Sequence, residues 1–265
     1  MTESALPSRP PTAVAVLGLG EAGSRLAADL AAAGAQVHGY DPFAATAPTG
    51  VVRGADPTST VSGSDVVLGL TTAGAALEAA AAALPSLTPG AIYADLNTAR
   101  PALKRELATL VAGAGARFAD VALLGPIPAR GLGTPALASG DGACGFADAL
   151  GPLGLPVAVV SDHAGDAAAL KLLRSVFMKG LAASAIESLR AAEATGHAEW
   201  LEQQLADVIG RPLLERLLEG SRVHAARRVD EMEAARDLVL ELGVEPRIAA
   251  ASMALLAELS ESRGR

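Results

Sequence analysis

The sequence predicts an α/β chain in two parts: a doubly wound parallel sheet over residues 12–164, followed by an all-helical part over 165–265. Three observations predict it. Short apolar, β-branched runs alternate with Ala-rich amphipathic segments up to about Ser161, the pattern of repeated strand–helix units. A glycine-rich turn, Gly18-Leu19-Gly20-Glu21-Ala22-Gly23, joins the first run to the first helical segment. From Gly165 onward almost every segment carries helical periodicity, broken only by Gly and Gly/Pro stops. Residues 1–11, with Glu3 and three prolines, are expected to be a disordered tail and not a signal peptide.

Thr12 to Gly18 is apolar, β-branched and of strand length, and Ser24 to Gly34 follows with helical spacing. The run from Ala35 reads as a second strand ending in Asp41. Val66 to Thr72 is a third, followed by an Ala-rich helix from Gly74 to Leu84 that Pro85 stops. Gly90 to Asp95 is the next strand, and Leu96-Asn97-Thr98 is a polar turn at its end. Pro101 opens a helix in its first turn, where the missing N–H is harmless. The run Ala116 to Gly125 is a strand leading into the rigid loop Gly125-Pro126-Ile127-Pro128. Two more short strands flank a weak helix over Cys144–Leu150.

The segment Gly165–Leu189 should form one helix of roughly 25 residues, about 37 Å long. Two of the chain's three lysines lie on it, and spacings of three and four put Lys171, Arg174, Ser175, Met178 and Lys179 on one stripe. The alternate stripe of Leu170, Leu173, Phe177 and Leu181 is expected to pack. Further helices are predicted over His197–Ile209, after Gly210-Arg211-Pro212 with an interruption at Gly220-Ser221, and from Pro246 to about Ser260. His224, Arg227, Arg228 and Glu231 form a polar cluster at helical spacing, read as a solvated or intersubunit face.

Composition narrows the function classes. Hydrophobic residues are 51% of the 265-residue chain and aromatic ones 3%, so Ala, Val and Leu must build the core. No apolar run reaches the roughly 18 residues of a membrane span. A net charge of −8 with so few aromatics argues against nucleic acid as a partner. The single Cys144 excludes an internal disulfide and a cysteine-based zinc site, which fits a cytoplasmic protein. No metal is expected, because His224 and Glu231 lack a third ligand. An Ala/Leu-rich helical half with so few aromatics is expected to pair with a second copy, giving a homodimer.

A bare G-x-G-x-x-G is a weak signal, and a nucleotide-free strand–turn–helix is the competing reading. Here the motif sits between strand and helix, with Asp41 18 residues past the last glycine, the context a dinucleotide fingerprint requires. Gly18 permits the tight turn, Gly20 lets the backbone approach a pyrophosphate, and Gly23 allows close helix–strand packing. The helix N-terminus supplies free N–H groups for the phosphates. Asp41 can accept both ribose hydroxyls and repels a 2′-phosphate, so NAD is preferred over NADP; Arg53 is the cation nearby in sequence that could reverse this. Gly18–Gly23, Asp41, Thr71–Thr72, Asn97–Thr98 and Leu124–Pro126 all fall at carboxyl ends of strands, where such sheets bind ligands.

These residues resemble the β-hydroxyacid dehydrogenase superfamily, which includes 6-phosphogluconate and 3-hydroxyisobutyrate dehydrogenases. VLGLGEAG with Asp41 matches the first motif, and Asp95-Leu-Asn-Thr-Ala-Arg-Pro101 is similar to D-x-S/T-T-x-x-P. Asp120-Val-Ala-Leu-Leu-Gly-Pro126 resembles the substrate loop D-A-P-V-S-G-G, and Gly165 with Lys171 and Ser175 resembles G-x-G-x-x-x-K-x-x-x-N. The C-terminal half resembles a bacterial subgroup whose helical domain has no settled function. The chain departs at Leu124, where the family has a carboxylate-binding Ser, at Pro126 for Gly, at Ala167 for Gly and at Ser175 for Asn.

The resemblance implies an NAD(P)-dependent oxidoreductase with Lys171 as general acid/base, a role a lysine fills when burial draws its pKa toward neutrality. Asn97 and Ser175 would orient the substrate oxygen and Thr98 the nicotinamide ribose or substrate. Gly18, Leu19, Gly20, Glu21, Ala22, Gly23, Asp41, Thr71, Thr72, Asn97 and Thr98 would hold the cofactor; Thr98, Leu124, Gly125, Pro126, Lys171, Ser175 and Lys179 would line the substrate. The less polar loop favours a larger or more apolar alcohol, ketone or imine over a small hydroxyacid. Imine or ketone reduction is the alternative chemistry, and a non-catalytic dinucleotide-binding module the alternative of another class. Oxidative decarboxylation is disfavoured because no phosphate-binding cluster is evident in the sequence.

Overall fold

The computed structural model describes residues 12–262; the expected tail over 1–11 lies outside them. The chain divides into two compact units, one running to Ala168 and the other beginning at Ala169. The first unit is built on an eight-stranded sheet. In chain order it comprises β1 (Ala13–Leu17), α1 (Glu21–Ala32), β2 (Gln36–Tyr40), β3 (Val51–Arg53), α2 (Pro57–Val61), β4 (Val66–Gly69) and α3 (Ala76–Ala83). There follow β5 (Ile92–Asp95), α4 (Pro101–Gly113), β6 (Arg117–Leu123), the short α5 (Ile127–Arg130), β7 (Ala136–Ser139), α6 (Ala143–Leu150) and β8 (Val157–Ser161).

The strand order is β3-β2-β1-β4-β5-β6-β7-β8, so the direction of winding reverses at β1 and β4. Every neighbouring pair is parallel except β6 and β7, which run antiparallel. The sequence pattern predicted parallel strands throughout. The exception arises because the β6–β7 connection carries only the four-residue α5, with no helix long enough to carry the chain back across a sheet face.

Alternate residues of each strand point to opposite faces, and both faces of the central strands β1, β4, β5 and β6 are covered. Val14, Val16, Val66, Leu68 and Val121 pack with Leu26 and Leu30 of α1 and with Phe146 and Leu150 of α6. Ala15, Leu17, Val67, Tyr93 and Phe118 pack with Val61 of α2, Ala80 of α3, and Leu107 and Val111 of α4. Full burial of a side chain such as Leu26 contributes about 1.5–3 kcal/mol. The strand β3 and helix α2 were not predicted. β3 is too short to show a period, but α2 carries a readable signal: Asp56 accepts from the Ser59 N–H while Ser59 Oγ accepts from the Asp56 N–H, and Pro57 opens the helix.

The long helix α7 runs from Asp166 to Ala194, further than predicted, because the strong helix formers after Leu189 continue it to Gly196 at φ +75°. The second unit adds α8 (Ala198–Ile209), α9 (Arg211–Val223), α10 (Ala225–Glu241) and α11 (Arg247–Ser262). Leu172 of α7 packs with Met232, Ala235 and Leu238 of α10 and with Ala249 and Leu256 of α11. Ala185 packs with Ala206 and Leu214.

Two expectations are corrected in this unit. Helix α9 passes unbroken through Gly220-Ser221: the Arg228 guanidinium fills the space beside Gly220, and Ser221 Oγ bonds back to the Leu217 carbonyl. The break comes instead at His224. The apolar stripe does not pack: Leu170, Leu173 and, at 68%, Phe177 are exposed.

Candidate functional site

In the first unit the register places Leu17 beside Tyr40 and Gly69, and Gly69 beside Asp95, which in turn pairs with Asp120. The carboxyl ends of β1, β2, β4 and β5 therefore share one edge, where the loop residues predicted from the sequence emerge. At its centre is the turn Gly18–Gly23. Gly18 adopts φ +102°, its N–H bonds the Tyr40 carbonyl at 2.8 Å, and a Cβ there would lie 2.4 Å from the Leu70 carbonyl oxygen. Gly23 lies against the Gly18 carbonyl, where a Cβ has no room. Gly20 differs. Nothing lies within 4 Å of where its Cβ would be, which leaves the backbone open to approach at the start of α1.

Asp41 closes this turn from the end of β2. Its Oδ2 accepts from the Leu19 N–H at 2.8 Å and its Oδ1 from the Phe43 N–H at 2.8 Å, so the acid is oriented at the turn by two backbone donors. Arg53 is held on the Ala44 carbonyl through Nε and Nη2 at 3.2 and 2.9 Å. Thr72 caps the turn after β4 by accepting from the Ala75 N–H, and Thr71 Oγ1 donates to the Thr72 carbonyl. The loop holding Leu124, Gly125 and Pro126 is tied to α1: Asp29 accepts from the Leu132 N–H at 3.0 Å, and Arg25 donates to the Pro128 carbonyl. Thr98 is exposed, whereas Asn97 is buried.

Beneath Asn97 lies a network that the sequence reading missed. Lys104 of α4 is fully buried, with Nζ 2.6 Å from Asp95 Oδ2, 2.9 Å from the Asp95 carbonyl and 3.1 Å from Asp120 Oδ1. Burial works against its ammonium, yet Asp95 and Asp120 overcome that and hold its pKa above the ordinary lysine value. Asp95 Oδ1 accepts from Asn97 Nδ2 at 2.6 Å, and Asn97 Nδ2 also reaches Thr71 Oγ1 at 3.3 Å. Asp120 Oδ2 accepts from Ser139 Oγ and from the Ala168 N–H, and Ser139 Oγ from the Ala167 N–H, which caps the start of α7. A sequence signal did exist: Lys104 occupies the buried stripe of α4, three before Leu107 and seven before Val111.

In the second unit Ser175 and Lys179 meet around Glu231. Ser175 Oγ donates to Glu231 Oε1, and Lys179 Nζ lies 2.8 Å from the same oxygen and 3.2 Å from Ser175 Oγ. Burial alone would raise the Glu231 carboxyl; the Lys179 charge, both hydrogen bonds and the Lys171 charge overturn it and hold the pKa at about 2. Lys179 is pushed down by burial and by Arg228 and Arg227, with Glu231 opposing. Glu231 thus belongs to an internal ion pair, not to the solvated or intersubunit face expected of the 224–231 cluster. Lys171 is partly buried on the same helix, and Arg228 donates to Ser221 Oγ at 2.8 Å. An open groove of ≈ 690 Å³, lined by His197, Trp200, Gln203 and Arg211 among others, contains none of the predicted site residues.

A doubly wound sheet with this turn at its switch point defines a dinucleotide-binding domain. Residues 13–143 match the family model of the NAD binding domain of 6-phosphogluconate dehydrogenase, and residues 192–259 match a domain of unknown function, DUF1932. That pairing of domains and this fold are similar to those of the 3-hydroxyisobutyrate dehydrogenase-like β-hydroxyacid dehydrogenases.

An uncharacterised 28.5 kDa protein of Methanothermus fervidus is 28% identical over 158 residues, and the match covers 58% of this chain and 61% of that protein. The conserved protein MTH1747, of unknown function and described as structurally similar to 3-hydroxyacid dehydrogenases, is 29% identical with a TM-score of 0.74. That alignment covers 95% of this chain and 98% of the other. A 3-hydroxyisobutyrate dehydrogenase of Mycobacterium tuberculosis shares the fold at a TM-score of 0.81 and 21% identity, over 95% of this chain and 94% of the other.

Proposed function

We propose that the chain is an NAD(P)-dependent oxidoreductase, transferring hydride reversibly between the nicotinamide cofactor and a hydroxyacid or a related alcohol or carbonyl compound. The observation that carries this reading is the turn at residues 18–23: positive φ at Gly18, an open approach at Gly20, and Asp41 oriented beside it at the switch point of the sheet. The turn and the N-terminus of α1 would hold the pyrophosphate, Asp41 the ribose, and Thr71, Thr72, Asn97 and Thr98 the nicotinamide half. The carboxylate of Asp41 favours NAD. The resemblance of α7 to the lysine motif supports Lys171 as the residue that takes the proton from a substrate hydroxyl and returns it in the reverse direction. Glu231 and Lys179 fix the Ser175 hydroxyl within the helical unit. The nicotinamide, when bound, supplies the hydride acceptor.

A screen of alcohols with NAD and of carbonyls with NADH, read at the NADH absorbance, tests the reaction class. Lys171→Ala is expected to lower kcat at least a thousandfold with NAD affinity within about threefold of wild type. Unchanged kcat rules out the lysine. A KM ratio that strongly favours NADP would remove the role given to Asp41. We also propose a homodimer formed through the helical unit, with the exposed Leu170, Leu173 and Phe177 of α7 as its contact surface.

A further inference from the structure

We propose that Asn97 is locked as a hydrogen-bond acceptor toward the bound ligand, with Lys104, acting through Asp95, as the positioning residue that locks it. The ligand group that docks on Asn97 is then an N–H or O–H donor. This rests on the dinucleotide reading above, and the argument runs through hydrogen-bond directions.

Both oxygens of Asp95 face donors: Oδ2 takes the Lys104 ammonium at 2.6 Å and Oδ1 takes the side-chain amide of Asn97 at 2.6 Å. Burial raises the Asp95 carboxyl, but the Lys104 ammonium against Oδ2 and the Asn97 amide against Oδ1 oppose that and favour the ionised, acceptor-only form. Turning the Asn97 amide over would set its Oδ1 2.6 Å from a carboxylate oxygen, two acceptors in contact inside the protein. Its Nδ2 must therefore point inward. There it also reaches Thr71 Oγ1, whose own hydrogen goes to the Thr72 carbonyl and whose lone pair is left to receive the amide. Both Nδ2 hydrogens are used, and Oδ1 is what Asn97 offers to a ligand.

Lys104 makes the lock permanent. Its ammonium bridges Asp95 and Asp120, whose second oxygen is held by Ser139 and the Ala168 N–H. Without Lys104, a buried Asp95 would take up a proton, gain a donor and lose its hold on the orientation of Asn97. Within the proposed site two groups could supply the donor: the carboxamide NH₂ of the nicotinamide and a hydroxyl of its ribose, since the one hydrogen of a substrate hydroxyl goes to Lys171. A carbonyl oxygen could not.

Two comparisons on wild-type protein separate these sources. The first is NAD against its 3-acetylpyridine analogue, which has a methyl ketone in place of the carboxamide and no N–H, with affinity measured by calorimetry. The second is NAD against its analogue lacking a hydroxyl on the nicotinamide ribose, with affinity measured in the same way. A loss of about tenfold or more for the first analogue assigns the donor to the carboxamide, and the same loss for the second assigns it to the ribose. Loss for neither overturns the proposal without any variant.

Asp95→Asn then tests the lock. It leaves Lys104 paired one-to-one with Asp120, and its own Oδ1 turns to the ammonium. Its amide therefore faces Asn97, which must reverse and present NH₂ outward. The tenfold discrimination is expected to collapse to within about twofold, and Lys104→Arg is expected to retain it. Lys104→Met is expected to add a limb to the pH–kcat profile, with activity recovering as pH rises and Asp95 ionises. Discrimination and pH profile unchanged in both Asp95→Asn and Lys104→Met refute the lock. If the wild-type protein binds neither dinucleotide, the function proposed above fails, and this inference with it.

Discussion

At the scale of single residues, Gly18 and Gly20 do different work although the motif writes them alike. At Gly18 an added Cβ meets the Leu70 carbonyl in a left-handed backbone conformation. Gly18→Ala should cost roughly 2–4 kcal/mol in urea unfolding, the range for a strained backbone with a steric clash. At Gly20 the added methyl enters open space, so Gly20→Ala should unfold within about 1 kcal/mol of wild type. Its calorimetric affinity for NAD should nevertheless fall tenfold or more, since the methyl would stand where the pyrophosphate is proposed to approach. Equal affinity in Gly20→Ala and wild type would remove the phosphate from this turn.

Glu231 makes a second prediction at this scale, on pH. Its carboxyl is held at about 2, against an ordinary value of 4.5. A group with a lowered folded-state pKa contributes stability that is fully present above its unfolded value and is lost as pH falls through the folded one. The window is therefore pH 4.5 down to about 2, and the loss is up to roughly 3 kcal/mol, partly offset at neutral pH by the depressed Lys179. Denaturant melts across this window should show the loss in wild type, and Glu231→Gln should flatten it.

At the scale of elements, the start of α7 shows what local sequence conveys and what it leaves out. Gly165-Asp166 followed by strong helix formers marks where the helix begins. Its caps do not come from that neighbourhood: the Ala167 and Ala168 N–H groups are taken by Ser139 and Asp120, on two strands that reach the helix only through the fold. Ser139→Ala should cost about 1–3 kcal/mol, because it strands the Ala167 N–H in a buried position. Urea unfolding checks this; no change in the midpoint would mean that water replaces the cap.

The same division explains the rest of the comparison. The glycine turn and the places of Asp41 and Asn97 at strand ends were legible because motif and strand end adjoin in sequence. The Lys104 network was not, because its partners come from β5 and β6 and a lone lysine reads as solvated until its stripe is found to be buried. The sequence places Ser175 and Lys179 on one stripe, as the structure does, but Glu231, more than fifty residues on, reads from sequence as part of a solvated or intersubunit face. Gly220-Ser221 was read as a break because the side chains that support it, Arg228 above all, belong to the next helix.

At the scale of the whole molecule, the pattern of exposed surface bears on assembly. The chain carries a net charge of −8, which disfavours non-specific association, yet Leu170, Leu173 and Phe177 stand exposed at helical spacing on one helix. Single exposed apolar residues are ordinary; three aligned along a helix, the last a phenylalanine at 68% exposure, form the kind of stripe that a second copy covers by two-fold symmetry. A two-fold pairing would set each stripe against its twin, so one substitution acts twice at the same interface. Phe177→Glu places two like charges near the centre of that contact, where like-charge juxtaposition costs several kcal/mol. Light scattering behind size-exclusion chromatography should then report twice the 26.4 kDa chain mass for wild type and a single mass for Phe177→Glu, with the far-UV spectrum unchanged. A wild-type protein that elutes as a monomer at tens of micromolar removes the dimer; a dimer that survives Phe177→Glu moves the contact off α7.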